Sequence, residues 1–369
     1  MNIKAAVAQQ KEGRITIEEL SLGEPKENEV LVKIAACGIC HTDEVGRLGF
    51  FPLSFPAVFG HEGAGTVIKT GAGVSDFKEG DKVSFSYSYC GTCEACKRGM
   101  PFGCSSNRRL NFTGTHFDGT KRLAFRGKEV SSFFGQSAFA THAVVHQNNL
   151  IHVDDDFPLY LAAPIGCGIQ TGAGTVLNVL RPGSDTSILI TGCGAVGLSA
   201  IMAAKLSPCS KIIACDISDE KLALAKEFGA THTVNAAKVA SVPDAVREIT
   251  DGLGAHYAAD CTGSGESLRT SLNSVRSLGV CAAVGAAQDI TFQVEGELMG
   301  VAKSLIGVVE GYSIPQLFIP ELINYYKQGK FPFDRMITTY RFEDIDKAFE
   351  DLHSGNAVKA VLVMDETGE

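Results

Sequence analysis

The chain has 369 residues, a length that fits about two domains, and its 45% hydrophobic and 20% charged residues are the balance of a soluble globular protein. A net charge of −9 argues against nucleic acid as a partner, because phosphate binding rests on clustered Lys and Arg. No apolar run approaches the roughly 18 residues of a membrane span, and the stretch from Met1 to Gln10 is too weakly apolar for a signal peptide; both predict a cytoplasmic protein with no membrane partner.

The first half of the chain reads as β-rich. Val30, Val32 and Ile34 alternate with Leu31, Lys33 and Ala35 at the period of a strand, and Gly60, Gly63, Gly65, Gly71, Gly73 and Gly80 punctuate further short strands. Cys90, Cys93, Cys96 and Cys104 follow in a polar, turn-rich stretch as C-x2-C-x2-C-x7-C. Four thiolates so spaced can close a tetrahedral shell around zinc with no open position, which is a structural site. A second, dispersed set is Cys40, His61 and Cys167, each at a turn, with the acids Asp43 and Glu62 beside them. Three ligands and an open position suit a catalytic zinc, although spacing alone does not select these three. The other six cysteines (Cys37, Cys193, Cys209, Cys215, Cys261 and Cys281) lie in or near apolar runs and read as small buried hydrophobes.

After Ala173 the pattern changes to alternating strands and helices. Strands are expected at Ser187–Thr191, Lys211–Cys215, His256–Cys261 and Val280–Val284, and helices at Ala195–Leu206, Asp219–Phe228 and Glu266–Ser277. Such alternation implies βαβ units and a parallel sheet buried on both faces. Gly192, Gly194 and Gly197 form G-x-G-x-x-G between a strand and a helix, and Asp216 ends the next strand. The glycines give a tight turn, close backbone approach to a pyrophosphate and close helix packing, while an acid after the next strand binds ribose hydroxyls. That acid repels a 2′-phosphate, so NAD is favoured over NADP. From Tyr312 onward two more helices and a last strand, Val358–Met364, complete the chain.

Cys40-His41-Thr42-Asp43, Gly60-His61-Glu62, the four-cysteine lobe, Gly166-Cys167-Gly168 and the glycine fingerprint, in this order, resemble the zinc-dependent medium-chain alcohol dehydrogenases over nearly the whole chain. The resemblance implies an α/β fold: a GroES-like, β-barrel-type catalytic domain over residues 1–167, a Rossmann doubly wound parallel-sheet domain over 168–309, and a return to the catalytic domain over 310–369. It implies two zinc ions per chain and NAD, with Cys40, His61 and Cys167 on the catalytic zinc and Glu62 behind it. Asp43 then orients the histidine and Thr42 takes the alcohol proton. His41 and Lys359 match basic positions near the cofactor pyrophosphate, Lys221 one near the adenosine ribose, and Thr171, Val196 and Val284 positions around the nicotinamide. A homo-oligomer, dimer or tetramer, acting on small alcohols and aldehydes is implied as well.

Within the family the chain is most similar to the bacterial aryl-alcohol (benzyl alcohol) dehydrogenases, through Asn111-Phe-Thr-Gly114, Ser137-Ala-Phe-Ala-Thr141 and Gly307-Val-Val-Glu-Gly311 among other stretches. Phe50, Phe51, Phe55 and Phe59 before His61, with Phe85 and Tyr87, are candidates for an aromatic substrate wall. The chain departs from the family pattern twice. Val45 stands where some members carry a histidine that ends a proton relay, and Gly285-Ala286-Ala287 replaces a Gly-x-Pro. Two other readings share these residues: a dehydrogenase of short aliphatic alcohols, and a non-catalytic NADH-binding structural protein.

Overall fold

Residues 1–286 and 289–364 are described by the structure, a computed structural model, so Ala287 of the departing tripeptide lies outside the described residues. The chain divides into two units. Residues 1–167, 314–321 and the stretch from Asp334 onward form the first, and residues 168–313 with 322–333 form the second. A return to the first unit from residue 310 is therefore interrupted, because residues 322–333 pack with the second.

In the first unit β1 (Asn2–Ala8) pairs antiparallel with β2 (Ile15–Leu22), and β3 (Glu29–Gly38) leads into the short helix α1 (His41–Arg47). β4 (Ala57–Val58) joins β1, β5 (Glu62–Thr70) runs along β3, and β6 (Lys82–Phe85) runs along β5. A lobe with α2 (Glu94–Lys97) and α3 (Asn107–Phe112) comes next. β7 (Leu123–Phe125) and β8 (Lys128–Val130) form a hairpin on β2, β9 (His142–His146) pairs with β3, and β10 (Leu150–His152) with β6. The side chains of Ile3, Val7, Val30, Ile34, Phe59, Phe85 and Phe139 fill the core of this unit. α4 (Leu159–Ala162) and a 3-10 turn over Ala163–Gly166 bring the chain to Cys167.

The second unit opens with α5 (Gly168–Gly174) and then alternates: β11 (Ser187–Thr191), α6 (Ala195–Leu206), β12 (Lys211–Asp216), α7 (Asp219–Phe228), β13 (His232–Asn235), α8 (Val242–Ile249), β14 (Ala255–Asp260), α9 (Gly265–Ser274), β15 (Val275–Ala283) and β16 (Ser304–Gly307). All six strands are parallel in the order β13-β12-β11-β14-β15-β16. The order reverses between β11 and β14, which leaves a crevice at the carboxyl ends of the strands, where doubly wound sheets take their ligands. α9 stops three residues short of the expected Ser277. Val275 is already extended, Leu278 takes φ +64° and the register shifts opposite Ala255 and Tyr257, so a strand with a bulge begins where a helix end is expected.

α10 (Pro315–Lys327) spans the division between the units; β17 (Ile337–Arg341), α11 (Ile345–Ser354) and β18 (Lys359–Val363) complete the first. β18 lies parallel to β17 and antiparallel to β3, with Val361 opposite Gly38. Of the six cysteines read as buried, Cys209 and Cys261 are half-buried and the other four are buried. Among the described residues no helix is long and apolar enough to cross a membrane.

Glu29, at the start of β3, is a buried carboxylate gripped by Arg122 through two hydrogen bonds, Nε to Oε2 at 2.9 Å and Nη2 to Oε1 at 2.6 Å. Burial works to raise its pKa, but the hydrogen bonds of His116 and Arg122 outweigh it and hold the group down to about 2, below the ordinary 4.5. A carboxyl depressed on folding stabilises fully above about pH 4.5 and loses that contribution as pH falls toward 2. Glu29→Gln is therefore expected to cost about 2–4 kcal/mol at pH 7 in urea unfolding, because it removes the buried one of the two carboxylates paired with Arg122 and leaves only Asp118 at 3.1 Å. The gap to wild type should close between pH 4.5 and 2; a gap that stays constant with pH counts against this assignment.

Candidate active site

β3 and β5 are paired so that Gly38, the last residue of one, faces Glu62, the first of the other. Cys40 and His61 therefore emerge side by side at the same end of the sheet. Cys167 arrives from the 3-10 turn, whose Gly166 carbonyl accepts a hydrogen bond from Ser86 Oγ at 2.8 Å. Cys40, His61, Glu62 and Cys167 each offer one ligand atom, and these atoms lie within 4.8 Å of one another. Asp43, fully buried, fixes the histidine. Its carboxylate accepts from Cys40 N at 3.0 Å, from Gly60 N at 3.0 Å and from His61 Nδ1 at 2.8 Å. With Nδ1 engaged, Nε2 is the ring atom left to bind, and it is buried with no hydrogen-bond partner. An orphaned imidazole nitrogen beside two thiols is the donor chemistry of a zinc site, so the residues present fit the metal. Cys167 and then His61 pull the Cys40 thiol well below its usual pKa, against the effect of burial.

Lys359 is buried behind this cluster, paired with the Glu62 carboxylate and donating to the Ile39 carbonyl at 3.0 Å. Burial works to lower its pKa, but the Glu62 charge overrides this and the ammonium rises to about 12. Two of the three ammonium hydrogens thus meet partners within the first unit, and the cofactor contact implied for Lys359 remains a separate expectation. Thr42 is half-buried with Oγ1 3.6 Å from Cys40 Sγ, and His41 is exposed.

The expected aromatic wall is rearranged. Phe59, Phe85 and Tyr87 belong to the core and Phe50 is 61% exposed, while Phe51 stacks on Phe112 at 4.4 Å. The rings against His61 are Phe134, stacked at 4.4 Å, and Phe133, edge-on at 5.6 Å, and both belong to the same core. Sequence reading passes over these two, since only their adjacency in a turn-rich stretch distinguishes them from other core phenylalanines.

In the lobe the sulfurs of Cys90, Cys93, Cys96 and Cys104 also lie within 4.8 Å of one another. Backbone amides point at them: Cys93 N to Cys90 Sγ at 3.3 Å, Cys90 N to Cys104 Sγ at 3.3 Å and Ser106 N to Cys104 Sγ at 3.4 Å. Hydrogen bonds from the Cys96 and Ser105 backbone hold Cys93 down to about 5, whereas burial and then its sulfur neighbours push Cys96 up to about 12. Four sulfurs that resist ionising together, in a shell of amide donors, fit a tetrahedral cation.

In the second unit the glycine fingerprint joins β11 to α6. Gly192 takes φ +88°, and a Cβ on Gly197 would lie 1.8 Å from the Gly192 carbonyl oxygen. A Cβ on Gly194 would meet nothing within 4 Å, so open space stands before the first turn of α6, where amide groups and the helix dipole favour a phosphate. Asp216 ends β12 and accepts from Cys193 N at 2.7 Å and Ser218 N at 3.0 Å, which ties the fingerprint loop to the start of α7. These features fit a dinucleotide. Val196 lies in the first turn of α6 and Lys221 in that of α7. Thr171 of α5 donates to Glu310 at 3.4 Å, and the Val284 amide donates to the Asp260 carbonyl at 3.0 Å. Asp260, also unremarked in sequence, is a buried carboxylate at the end of β14 held by Thr262, Ser267 and Ser271.

Residues 26–155 match the family model described as alcohol dehydrogenase GroES-like domain, and residues 195–324 that described as zinc-binding dehydrogenase. The chain is 40% identical over 367 residues to geraniol dehydrogenase of Castellaniella defragrans, with 98% of each chain covered. It is 34% identical to the probable S-(hydroxymethyl)glutathione dehydrogenase 1 of Schizosaccharomyces pombe, over 98% of this chain and 97% of that one. Among solved structures it is similar to benzyl alcohol dehydrogenase from Acinetobacter calcoaceticus, with TM-score 0.94 and 41% identity, covering 99% of this chain and 100% of the other.

The glycine geometry separates two substitutions that look alike in sequence. Gly197→Ala should lower stability by about 1–3 kcal/mol through its clash with the Gly192 carbonyl. Gly194→Ala should melt like wild type yet weaken NADH binding about tenfold or more, since its methyl occupies the space before α6. Melting curves and NADH fluorescence titrations of both variants check this; equal loss of stability would refute it.

Proposed function

The chain belongs to the zinc-binding, medium-chain alcohol dehydrogenases, and from that premise we propose that it catalyses the NAD-dependent, reversible oxidation of primary aromatic and allylic alcohols to aldehydes. The observation that carries the reading is the Cys40–His61–Cys167 cluster, with its unpartnered imidazole nitrogen and the Phe134 and Phe133 rings laid against the imidazole. The names of two relatives, geraniol and benzyl alcohol dehydrogenase, support the same substrate classes for this chain.

Cys40, His61 and Cys167 would hold the catalytic zinc, with Glu62 behind them. Bound there, zinc supplies Lewis acidity to the alcohol oxygen and NAD supplies the hydride acceptor. Asp43 keeps His61 in the tautomer that presents Nε2 to the cluster. Thr42 Oγ1, beside Cys40, accepts the alcohol proton as its own is passed on, and Val45 leaves no histidine at the relay position after it. Phe134, backed by the fully buried Phe133, would give a planar substrate an aromatic contact worth about 0.5–1.5 kcal/mol beyond burial. In the second unit Gly192, Gly194 and Gly197 admit the pyrophosphate and Thr171, Val196 and Val284 surround the nicotinamide; the family likeness implies basic cofactor contacts for His41 and Lys359. Asp216 takes the ribose hydroxyls with Lys221 nearby and disfavours a 2′-phosphate. β16 pairs only with β15 among the described strands, and its open edge is where a second copy would pair to give the homo-oligomer.

The decisive experiment is a substrate panel followed by NADH absorbance. Benzyl alcohol and an allylic alcohol should exceed ethanol in kcat/KM by about tenfold or more. Parity with ethanol would favour the short-aliphatic reading, and no turnover of any alcohol the non-catalytic one.

The metal count is a separate expectation. Elemental analysis should give about two zinc ions per wild-type chain and about one in Cys104→Ser, whose melting temperature should also fall, because a closed four-sulfur site contributes folding energy directly. One ion or none in the wild type removes the structural site from this reading.

A further inference from the structure

Phe134 takes φ +53°, the left-handed region that a bulky side chain enters only when its surroundings force it. In this conformation its ring lies flat on the His61 imidazole, 4.4 Å away at 23°, and meets Phe133 and Phe112 edge-on at 4.9 and 5.1 Å. The force is visible at the backbone. The Phe134 carbonyl accepts from Ser88 Oγ at 2.9 Å and from Asn149 Nδ2 at 3.1 Å, and its amide donates to the Asn111 carbonyl at 2.9 Å. Asn111 in turn locks Ser88, accepting from its amide at 2.8 Å and donating to its carbonyl at 3.0 Å.

Asn149 is the centre of this clamp. It is fully buried, and Nδ2 also reaches Ser88 Oγ at 2.6 Å and the Ser86 carbonyl at 3.2 Å. Its other amide atom, Oδ1, is buried with no partner. Every hydrogen bond of this side chain therefore runs through its donor side, toward the Ser86 and Phe134 carbonyls and Ser88 Oγ. Two features thus meet at one point, an outlying backbone and an unsatisfied amide, and both serve to set one ring on the imidazole of the metal cluster.

We infer that Asn149 is a positioning residue for substrate choice: it clamps the strained Phe134 carbonyl so that the Phe134 ring forms the wall that receives an aromatic alcohol. The inference rests on the proposed aromatic specificity for its kinetic consequence, while the clamp itself rests on geometry alone. Asn149→Asp keeps the size and shape of the side chain but turns an oxygen toward the Phe134 and Ser86 carbonyls, so it removes the donor without opening a cavity. A buried carboxyl facing two carbonyls costs stability whatever the role of the residue, so the clamp is read from the His61 shift and the split between the two alcohols in the folded variant.

The test uses the full-length enzyme labelled with 13C-histidine, with zinc content and melting temperature measured alongside. In Asn149→Asp the ring-current shift that Phe134 imposes on the His61 ring protons should shrink toward the unstacked value. The kcat/KM for benzyl alcohol should fall about tenfold, mainly through KM, while ethanol stays within about twofold and zinc content is unchanged. An unchanged His61 shift in the folded variant overturns the clamp, and equal losses for both alcohols overturn its role in substrate choice. If Asn149→Asp fails to fold, Ser88→Ala removes the other side-chain donor to the same carbonyl and is read in the same way, with unchanged values again overturning the clamp. A wild type that treats the two alcohols alike sinks the aromatic reading and the role in substrate choice with it, and the His61 shift then still decides whether Asn149 holds Phe134.

Discussion

The Asp43 carboxylate, fully buried, accepts from the Cys40 amide, the Gly60 amide and His61 Nδ1. These three bonds join the start of α1 to the chain just before β5, two stretches separated in sequence by the whole zinc-side loop. A buried carboxylate is tolerable only when its lone pairs are met, so the acid forces the backbone of both segments into register with the imidazole. The pairing of β3, β5 and β18 does the rest. Gly38 faces both Glu62 and Val361, which brings Cys40, His61, Glu62 and Lys359 to one end of one sheet. The cluster is a consequence of strand register fixed by a carboxylate.

The second unit uses the same device at a different place. Asp216 accepts from the Cys193 amide inside the glycine fingerprint and from the Ser218 amide at the start of α7. One acid thus fixes the backbone of a loop at the carboxyl end of the sheet, as Asp43 does at the ligand end of β3. Because its oxygens already hold the loop, any change at Asp216 disturbs the glycine-fingerprint turn as well as the ribose recognition proposed for it. In both units the residue recognised by chemistry is also the residue that shapes its surroundings.

Local signals were legible in the sequence, and long-range ones were legible only where their chemistry is unusual. α6 and α7 begin and end where periodicity and the Gly229 stop put them, and β11 matches its apolar run residue for residue. The four-cysteine lobe is readable because its spacing is short and its chemistry rare. Cys40, His61 and Cys167 are not selected by spacing, since strand register and not chain distance brings them together, and the family likeness singled them out. The rings around the imidazole were illegible for a related reason: Phe59, two residues from His61, packs into the core, whereas Phe134 reaches the imidazole from another loop through a left-handed backbone. The pairing of Lys359 with Glu62 was not legible, because it appears only once β18 is laid against β3.

Charge balance explains why a lysine is buried there. The first-unit cluster gathers two thiols and the carboxylates of Asp43 and Glu62 in a dry interior, against one ammonium. Lys359 offsets Glu62, the His61–Asp43 hydrogen bond spreads the second acid's charge, and the two thiols lie among these groups. As thiolates they would leave an excess of negative charge that a low-dielectric site does not support, unless a cation enters or the thiols stay protonated. Cys40, pulled well below its usual pKa by Cys167 and His61, is already inclined toward the thiolate. A divalent ion supplies what the ammonium does not. Cation binding and thiol deprotonation at this cluster would thereby be linked, and β18 contributes through Lys359, which offsets the Glu62 charge.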